Sequence, residues 1–474
     1  MRENVGKVKR KRVEKTQMNK KRSAFSGKIG YVLSAAGASV GLGNIWRFPY
    51  LAAKYGGGIF LLVYIILALT FGYTMIVAES ALGRMTRKSP VGAFRSFAKG
   101  KKVGWLSFGG WINAIIPVLI VPYYSVIGGW VVKYLFEYIR GNGSKLAEDG
   151  YFSGFISNGG ATEICFVIFC MFTLVIIYAG VQNGIERVSK IMMPILIVLS
   201  VIIAIYSVTR PGAIEGVKYF LVPNVKNFSW MTVVAAMGQM FYSLSIAMGI
   251  LVTFGSYMRK DTSIEDSTRN VEIFDTAIAM MAGLMIIPAV FAFSGGDPDT
   301  LQAGPSLMFI TIPKVFVNMG FGTAVGILFF VLVLFAAVTS SIALTESAVS
   351  TFEDELGWGR KKATVLTGVI MIALGTLSCL GYGPLDFVKI IGMQFLDFFD
   401  FLTNSVMMPI AALMTSLLVS RVIGVDKIEE EIRHGESAFR RKKIFVVMIK
   451  YLCPIFALII LASSVANAFG WIVM

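Results

Sequence analysis

Asn44, Ser243, Asp275, Thr339 and Ser340 sit in or beside long apolar segments of this chain. An unpartnered polar group is costly there, and all five offer the oxygen that a hard cation such as sodium takes as ligand. Two glycine-bearing stretches adjoin them: GASVGLGN at Gly37 to Asn44, followed at once by IWRFP, and SLSIAMG at Ser243 to Gly249. Where a membrane helix breaks, freed N–H groups can meet a carboxylate, and freed carbonyls can meet an ammonium group or Na+. Those are the needs of an amino-acid zwitterion. Charge lies at similar depth: Arg47 follows the first break, and Asp397 and Asp400 stand in the aromatic run FLDFFDF. A gate accounts for both signs, whereas Arg47 alone would also suit snorkelling to a headgroup. Either glycine stretch alone reads as a helix-packing face, and so does AAVTSSIA at 336 to 343. Their coincidence with intramembrane charge favours a binding site.

Such residues need a scaffold, and composition says which. With 56% hydrophobic and 15% charged residues and mean hydropathy +0.72, the chain lies outside the soluble globular range. A bilayer core about 30 Å thick needs ~20 apolar residues per helix. Apolar runs place spans near 28–53, 58–83, 103–138, 163–180, 188–208, 230–258, 272–294, 321–350, 362–380, 395–423 and 444–470. The fold class is therefore an all-α membrane protein of about eleven transmembrane helices. Breaks in the first and sixth spans point to two inverted five-helix repeats, 28–208 and 230–423. They are flanked by a basic tail, 1–27, and by a loop with a final helix, 424–474.

The net charge of +16 forms no aromatic-interleaved stripe, so no nucleic-acid partner is expected. Lys and Arg gather instead in the tail and at alternate connections: Arg84 to Lys102, Arg187 and Lys190, Arg259 and Lys260, Arg360 to Lys362, and Arg440 to Lys443. The positive-inside rule then puts the N-terminus in the cytoplasm of a multi-pass cell-membrane protein, and an odd number of spans leaves the C-terminus extracellular. The first run is too long for a signal peptide and lacks a convincing cleavage site. Residues 294 to 319 read as a re-entrant or helical cap, and the polar, Gly-bearing loop 141 to 158 as mobile. Cys165, Cys170, Cys379 and Cys453 lack CxxC spacing and read as buried free thiols. His434 is the only histidine and no nucleophile and base pair stands out, so the chain does not read as an enzyme.

Seven segments, in order and spacing, carry a resemblance over nearly the whole chain. They are GLGNIWRFPYLAAKYGGGIF from Gly41, YYSVIGGW from Tyr123, GIERVSKIMMP from Gly184, FYSLSIAMG from Phe241, SYMRKD from Ser256, TSSIA from Thr339 and FEDEL from Phe352. The chain resembles the bacterial neurotransmitter:sodium symporters of the LeuT-type fold, itself a standard example of broken membrane helices. The resemblance implies a first sodium site from the Ser39 carbonyl, Asn44, Ser243, Asp275 and the substrate carboxylate. It implies a second from the carbonyls of Gly37, Val40 and Ala336 with the hydroxyls of Thr339 and Ser340. The substrate carboxylate would meet the Leu42 and Gly43 amides and the Tyr124 hydroxyl. Its amine would meet carbonyls near Ala38, Tyr242 and Ser245. The side chain would lie among Ile120, Tyr242, Met248, Ala343 and Leu344, an uncharged lining suited to a neutral hydrophobic or aromatic amino acid.

Two gates are implied as well: Arg47 with Asp400 and Gln239 outside, and Arg22 with Asp354, Phe25 and Tyr257 inside. Asp275 stands where many relatives carry Asn, and Ala279 follows one turn later. The resemblance thus implies that the carboxylate replaces a bound chloride and that transport needs none. The expected function is Na+-coupled symport of a small neutral amino acid by alternating access, by a monomer or homodimer in the lipid bilayer. An amino-acid-gated receptor or channel is the alternative.

Overall fold

The computed structural model describes residues 23–98, 104–294 and 304–471. Nine continuous helices among them are long and apolar enough to span a membrane: α2 (Gly58–Thr86), α3 (Gly104–Ile139), α4 (Gly159–Tyr178), α5 (Val181–Val208), α7 (Ile264–Ser294), α8 (Gly322–Leu356), α9 (Arg360–Leu380), α10 (Phe395–Ile423) and α11 (Lys442–Ala468). Two further spans are interrupted. The first runs as α1a (Lys28–Ser39), then a π-helical turn (Gly43–Arg47) leading into α1b (Phe48–Lys54). The other runs as α6a (Trp230–Ser243) and α6b (Ile250–Tyr257). Together they make eleven, the first and sixth broken as the glycine-bearing stretches indicate.

Each break has a local cause. Val40 leaves α1a with extended backbone (φ −75°, ψ 101°), which releases the carbonyls that a continuous helix would use. In the sixth span Ser245, Ala247 and Gly249 take φ of 53°, 60° and 71°. Left-handed backbone at two non-glycine residues cannot continue a right-handed helix and is held only by its surroundings. One such support is Glu79 of α2, fully buried, whose carboxylate accepts the Ala247 N–H at 2.8 Å. Small residues let α2 and α6b touch backbone to backbone. A side chain at Gly83 would begin 2.0 Å from the Val252 carbonyl oxygen, and one at Gly255 would begin 2.5 Å from that of Ser80.

Two connections carry structure of their own. The stretch expected as a mobile loop folds into short helices, Gly143–Leu146 and Tyr151–Ser157, with Leu146, Phe152 and Phe155 buried. Polar composition hides a sparse apolar face there: Phe152 stacks on Phe309 at 5.1 Å between centroids and meets Trp130 edge-on at 5.3 Å. Phe309 belongs to the second connection, whose described part holds the apolar helical stretch Leu307–Val317. The cysteines are free, three buried and Cys165 partly so. Lys99, Lys101, Lys102 and residues 1–22 of the basic tail lie outside the described residues.

Candidate functional site

The two breaks face one another at a buried carboxylate. Asp275 comes from the middle of α7 with no exposed surface. One of its oxygens accepts from the Asn44 amide and the Ser243 hydroxyl, both at 2.8 Å. The other accepts from the Tyr64 hydroxyl at 2.7 Å. Asn44 also donates to the Ser243 hydroxyl at 2.9 Å and accepts the Gly41 N–H at 3.0 Å. No lysine or arginine pairs with Asp275 among the described residues. A formal negative charge with only neutral donors suits a cation, since a buried charge without a counter-charge is costly. Ser39 lines the same space, its hydroxyl turned back to the Ala35 carbonyl at 3.2 Å.

A second oxygen cluster joins α1a to α8. The Ser340 hydroxyl lies 3.3, 3.2 and 3.2 Å from the carbonyl oxygens of Gly37, Ala38 and Val40. One hydroxyl hydrogen cannot satisfy three carbonyls, so oxygens outnumber donors, as a cation requires. Thr339 lies alongside, with its Cβ 3.2 Å from where a Gly37 side chain would begin. Its hydroxyl donates within α8, to Phe335 at 2.9 Å and Ala336 at 3.2 Å.

Between the clusters lies a small cavity lined by both breaks, α3 and α8. The Leu42 N–H donates to the Tyr124 hydroxyl at 3.3 Å, and the Ser245 hydroxyl donates to the Ala38 carbonyl at 3.0 Å. Gly43 lies so near Tyr242 that a side chain there would begin 2.5 Å from the ring. Ile120, Met248 and Leu344 complete the apolar wall, while Ala343 is buried but does not line the cavity. Gln239 binds the Gly43 carbonyl at 3.0 Å, which fixes α6a against the first break.

The charged residues are arranged less simply. The Arg47 guanidinium lies 5.5 Å from the centre of the Tyr242 ring. Asp400, exposed, accepts from the Tyr123 hydroxyl at 3.2 Å and from Asn404 at 2.5 Å. Arg47 and Asp400 make no ion pair within 4 Å, although Arg47 is near enough to act on Asp400 electrostatically. At the other end Phe25 and Tyr257 are buried in edge-on contact, and the Phe25 N–H donates to the Tyr257 carbonyl at 3.1 Å. The Tyr257 hydroxyl donates to Glu346 at 2.7 Å, and Asp354 accepts the Ser89 N–H at 2.6 Å. Arg22 lies outside the described residues.

Tyr64 and Glu79 were not singled out from the sequence. A tyrosine within the apolar run FLLVYIIL, or a lone acid within TMIVAESAL, is a polar group that must find a partner in lipid. That signal marks the residue but not its partner.

Two broken helices that face one another around an oxygen-lined cavity define a secondary transporter. The sodium:neurotransmitter symporter family model matches residues 22–144 and 151–470, and the chain belongs to this family. It is 35% identical over 447 residues to the uncharacterized sodium-dependent transporter YhdH of Bacillus subtilis (strain 168), covering 93% of this chain and 97% of that protein. It is 32% identical over 461 residues to an uncharacterized sodium-dependent transporter of Haemophilus influenzae, covering 95% and 99%. The crystal structure of MhsT in complex with L-phenylalanine is similar at TM-score 0.83 and 36% identity, covering 94% of this chain and 100% of that one. The chain is thus a sodium-dependent, multi-pass membrane transporter and not an enzyme.

Proposed function

We propose that this transporter carries a neutral, hydrophobic or aromatic L-amino acid inward with two sodium ions by alternating access, without chloride. The observation that carries the reading is that ion cradle and cavity share walls: Asn44 and Ser243 bond to Asp275 and also line the cavity. A substrate carboxylate held there by the Leu42 and Gly43 amides and Tyr124 completes the sodium shell, so each ligand raises the affinity for the other. The amine would use carbonyls near Ala38, Tyr242 and Ser245, and the side chain the wall of Ile120, Tyr242, Met248 and Leu344. That wall has no charge to pair with an ionised side chain. The similar MhsT complex contains L-phenylalanine, which supports the apolar class. The second ion would take Gly37, Val40 and Ala336 carbonyls with Thr339 and Ser340, tying α1a to α8.

Outer gating would use Arg47, Asp400 and Gln239, and inner gating Arg22, Asp354, Phe25 and Tyr257. The reading has the N-terminus in the cytoplasm and the C-terminus outside, by the distribution of Lys and Arg. The repeats would occupy 28–208 and 230–423, and the protein would act in the cell membrane as a monomer or homodimer.

Reconstitution tests this directly. An inward sodium gradient is expected to concentrate labelled phenylalanine, leucine or tryptophan inside proteoliposomes, with no accumulation when K+ replaces Na+. Binding without accumulation would instead establish the receptor or channel reading. Ser340→Ala removes the hydroxyl shared by three carbonyls. Sodium affinity measured by substrate-coupled titration is expected to fall about tenfold, the equivalent of one lost ligand at ~1.4 kcal/mol.

A further inference from the structure

We propose that Glu186 of α5 is a positioning residue: it latches the cytoplasmic foot of α1a closed, and its release permits the inner face to open. This rests on the reading that the two faces open in turn. The residue preceding α1a is Gly27, which makes no side-chain cap, so the helix begins with N–H groups that need acceptors from elsewhere. Glu186 binds the chain just ahead of that end, at Ser26, from another helix. One carboxylate oxygen accepts the Ser26 N–H at 2.9 Å, and the other accepts the Ser26 hydroxyl in a short contact. The carboxylate is also favourably placed against the positive end of the α1a dipole.

The fit is close. The Glu186 side chain is 3% exposed, and a side chain at Gly30 would begin 2.3 Å from its carboxyl carbon. Only glycine at that position lets the acid lie across the first turn of α1a. Gln182 adds a bond to the Ala24 carbonyl at 2.7 Å from the same end of α5.

What makes this a latch instead of a weld is Lys190. Its ammonium group is 2.6 Å from Glu186, four residues away on the same helix. When α1a swings off α5, the carboxylate loses both Ser26 donors but keeps its cation. No buried charge is stranded, and the opening stays reversible. The foot matters for transport because α1a also carries Gly37, Ala38 and Ser39, whose atoms border both oxygen clusters. A change at the foot therefore biases sodium binding through one rigid half-helix.

Ser34 offers a reporter. It is on α1a, 2% exposed, and its hydroxyl has no hydrogen-bond partner among the described residues, so Ser34→Cys disturbs little and becomes wet only when α1a leaves its bed. Reaction with a water-soluble thiol reagent is measured in membranes against the chain lacking this substitution, in Na+ and in K+. Glu186→Ala is expected to raise the Ser34→Cys labelling rate in K+ about tenfold and to weaken protection by Na+. Ser26→Ala, at an exposed position, should raise it about threefold, and Glu186→Gln should fall between. Unchanged rates in all three would overturn the latch, as would a lowered melting temperature with no change in labelling. If Glu186→Ala does not fold, Ser26→Ala decides. Sodium-driven uptake by the unsubstituted protein, measured in parallel, separates failure of the latch from failure of the transport reading.

Discussion

Asp275→Asn is expected to lower sodium-driven uptake at least about 100-fold in chloride-free medium, with part of the loss recovered when chloride is supplied. The substitution keeps the shape of the side chain and leaves an oxygen for Asn44, Ser243 or Tyr64 to meet. What it removes is the negative charge. A cation entering this buried centre then lacks its counter-charge, and breaking one side of a buried ion pair costs roughly 3–5 kcal/mol, or more than two decades in affinity. An external anion near the same place restores part of the field, which is why chloride should become an activator. Stability should move the other way. Without sodium, the wild-type carboxylate is buried among neutral donors only, so the Asn variant should melt at the same or a higher temperature in sodium-free detergent. Full activity of Asp275→Asn with no response to chloride would remove the charge argument.

Asn44→Ala should weaken sodium-dependent substrate binding about 100-fold while shifting the melting temperature by only a few degrees. Asn44 is where the parts of the centre meet: its amide reaches Asp275, Ser243 and the Gly41 N–H at 2.8, 2.9 and 3.0 Å. Losing one hydrogen bond to a charged group and two to neutral groups amounts to at least about 3 kcal/mol, or two decades. The effect falls on binding because these contacts organise the cradle, whereas the helices are held by an extensive apolar core around them. Equilibrium binding of labelled amino acid in Na+ and in K+, with thermal unfolding of the same samples, checks both halves. Equal losses of affinity in both media would mean that Asn44 shapes the cavity without linking it to the ion.

The spans were legible because lipid enforces a local rule. Each helix must satisfy its own backbone in about 20 apolar residues, so runs such as 395–423 declare their own ends. The breaks at 37–44 and 243–249 were legible only jointly: either stretch alone reads as a packing face, but two of them in the first and sixth spans, beside intramembrane charge, do not. Local composition misled at 141–158, where Leu146, Phe152 and Phe155 are too few to read as an element but enough to bury a face against Trp130 and Phe309. Tyr64 and Glu79 show a different limit. Each lies in a run that reads as ordinary membrane helix, and its role follows only from the groups it meets, Asp275 and the Ala247 N–H.

The amino-acid order determined the class of molecule, the number of spans, the two interruptions and the types of ligand atom on offer. It did so because helix formation, insertion and backbone breakage depend on neighbours within a few turns. Packing alone decided which oxygens converge. Asn44 and Asp275 are 231 positions apart and meet at 2.8 Å, and Ser26 reaches Glu186 across 160. Arg47 lies over Tyr242 without an ion pair to Asp400. Such distances depend on how rigid helices cross, a property of the assembled bundle that no single segment contains.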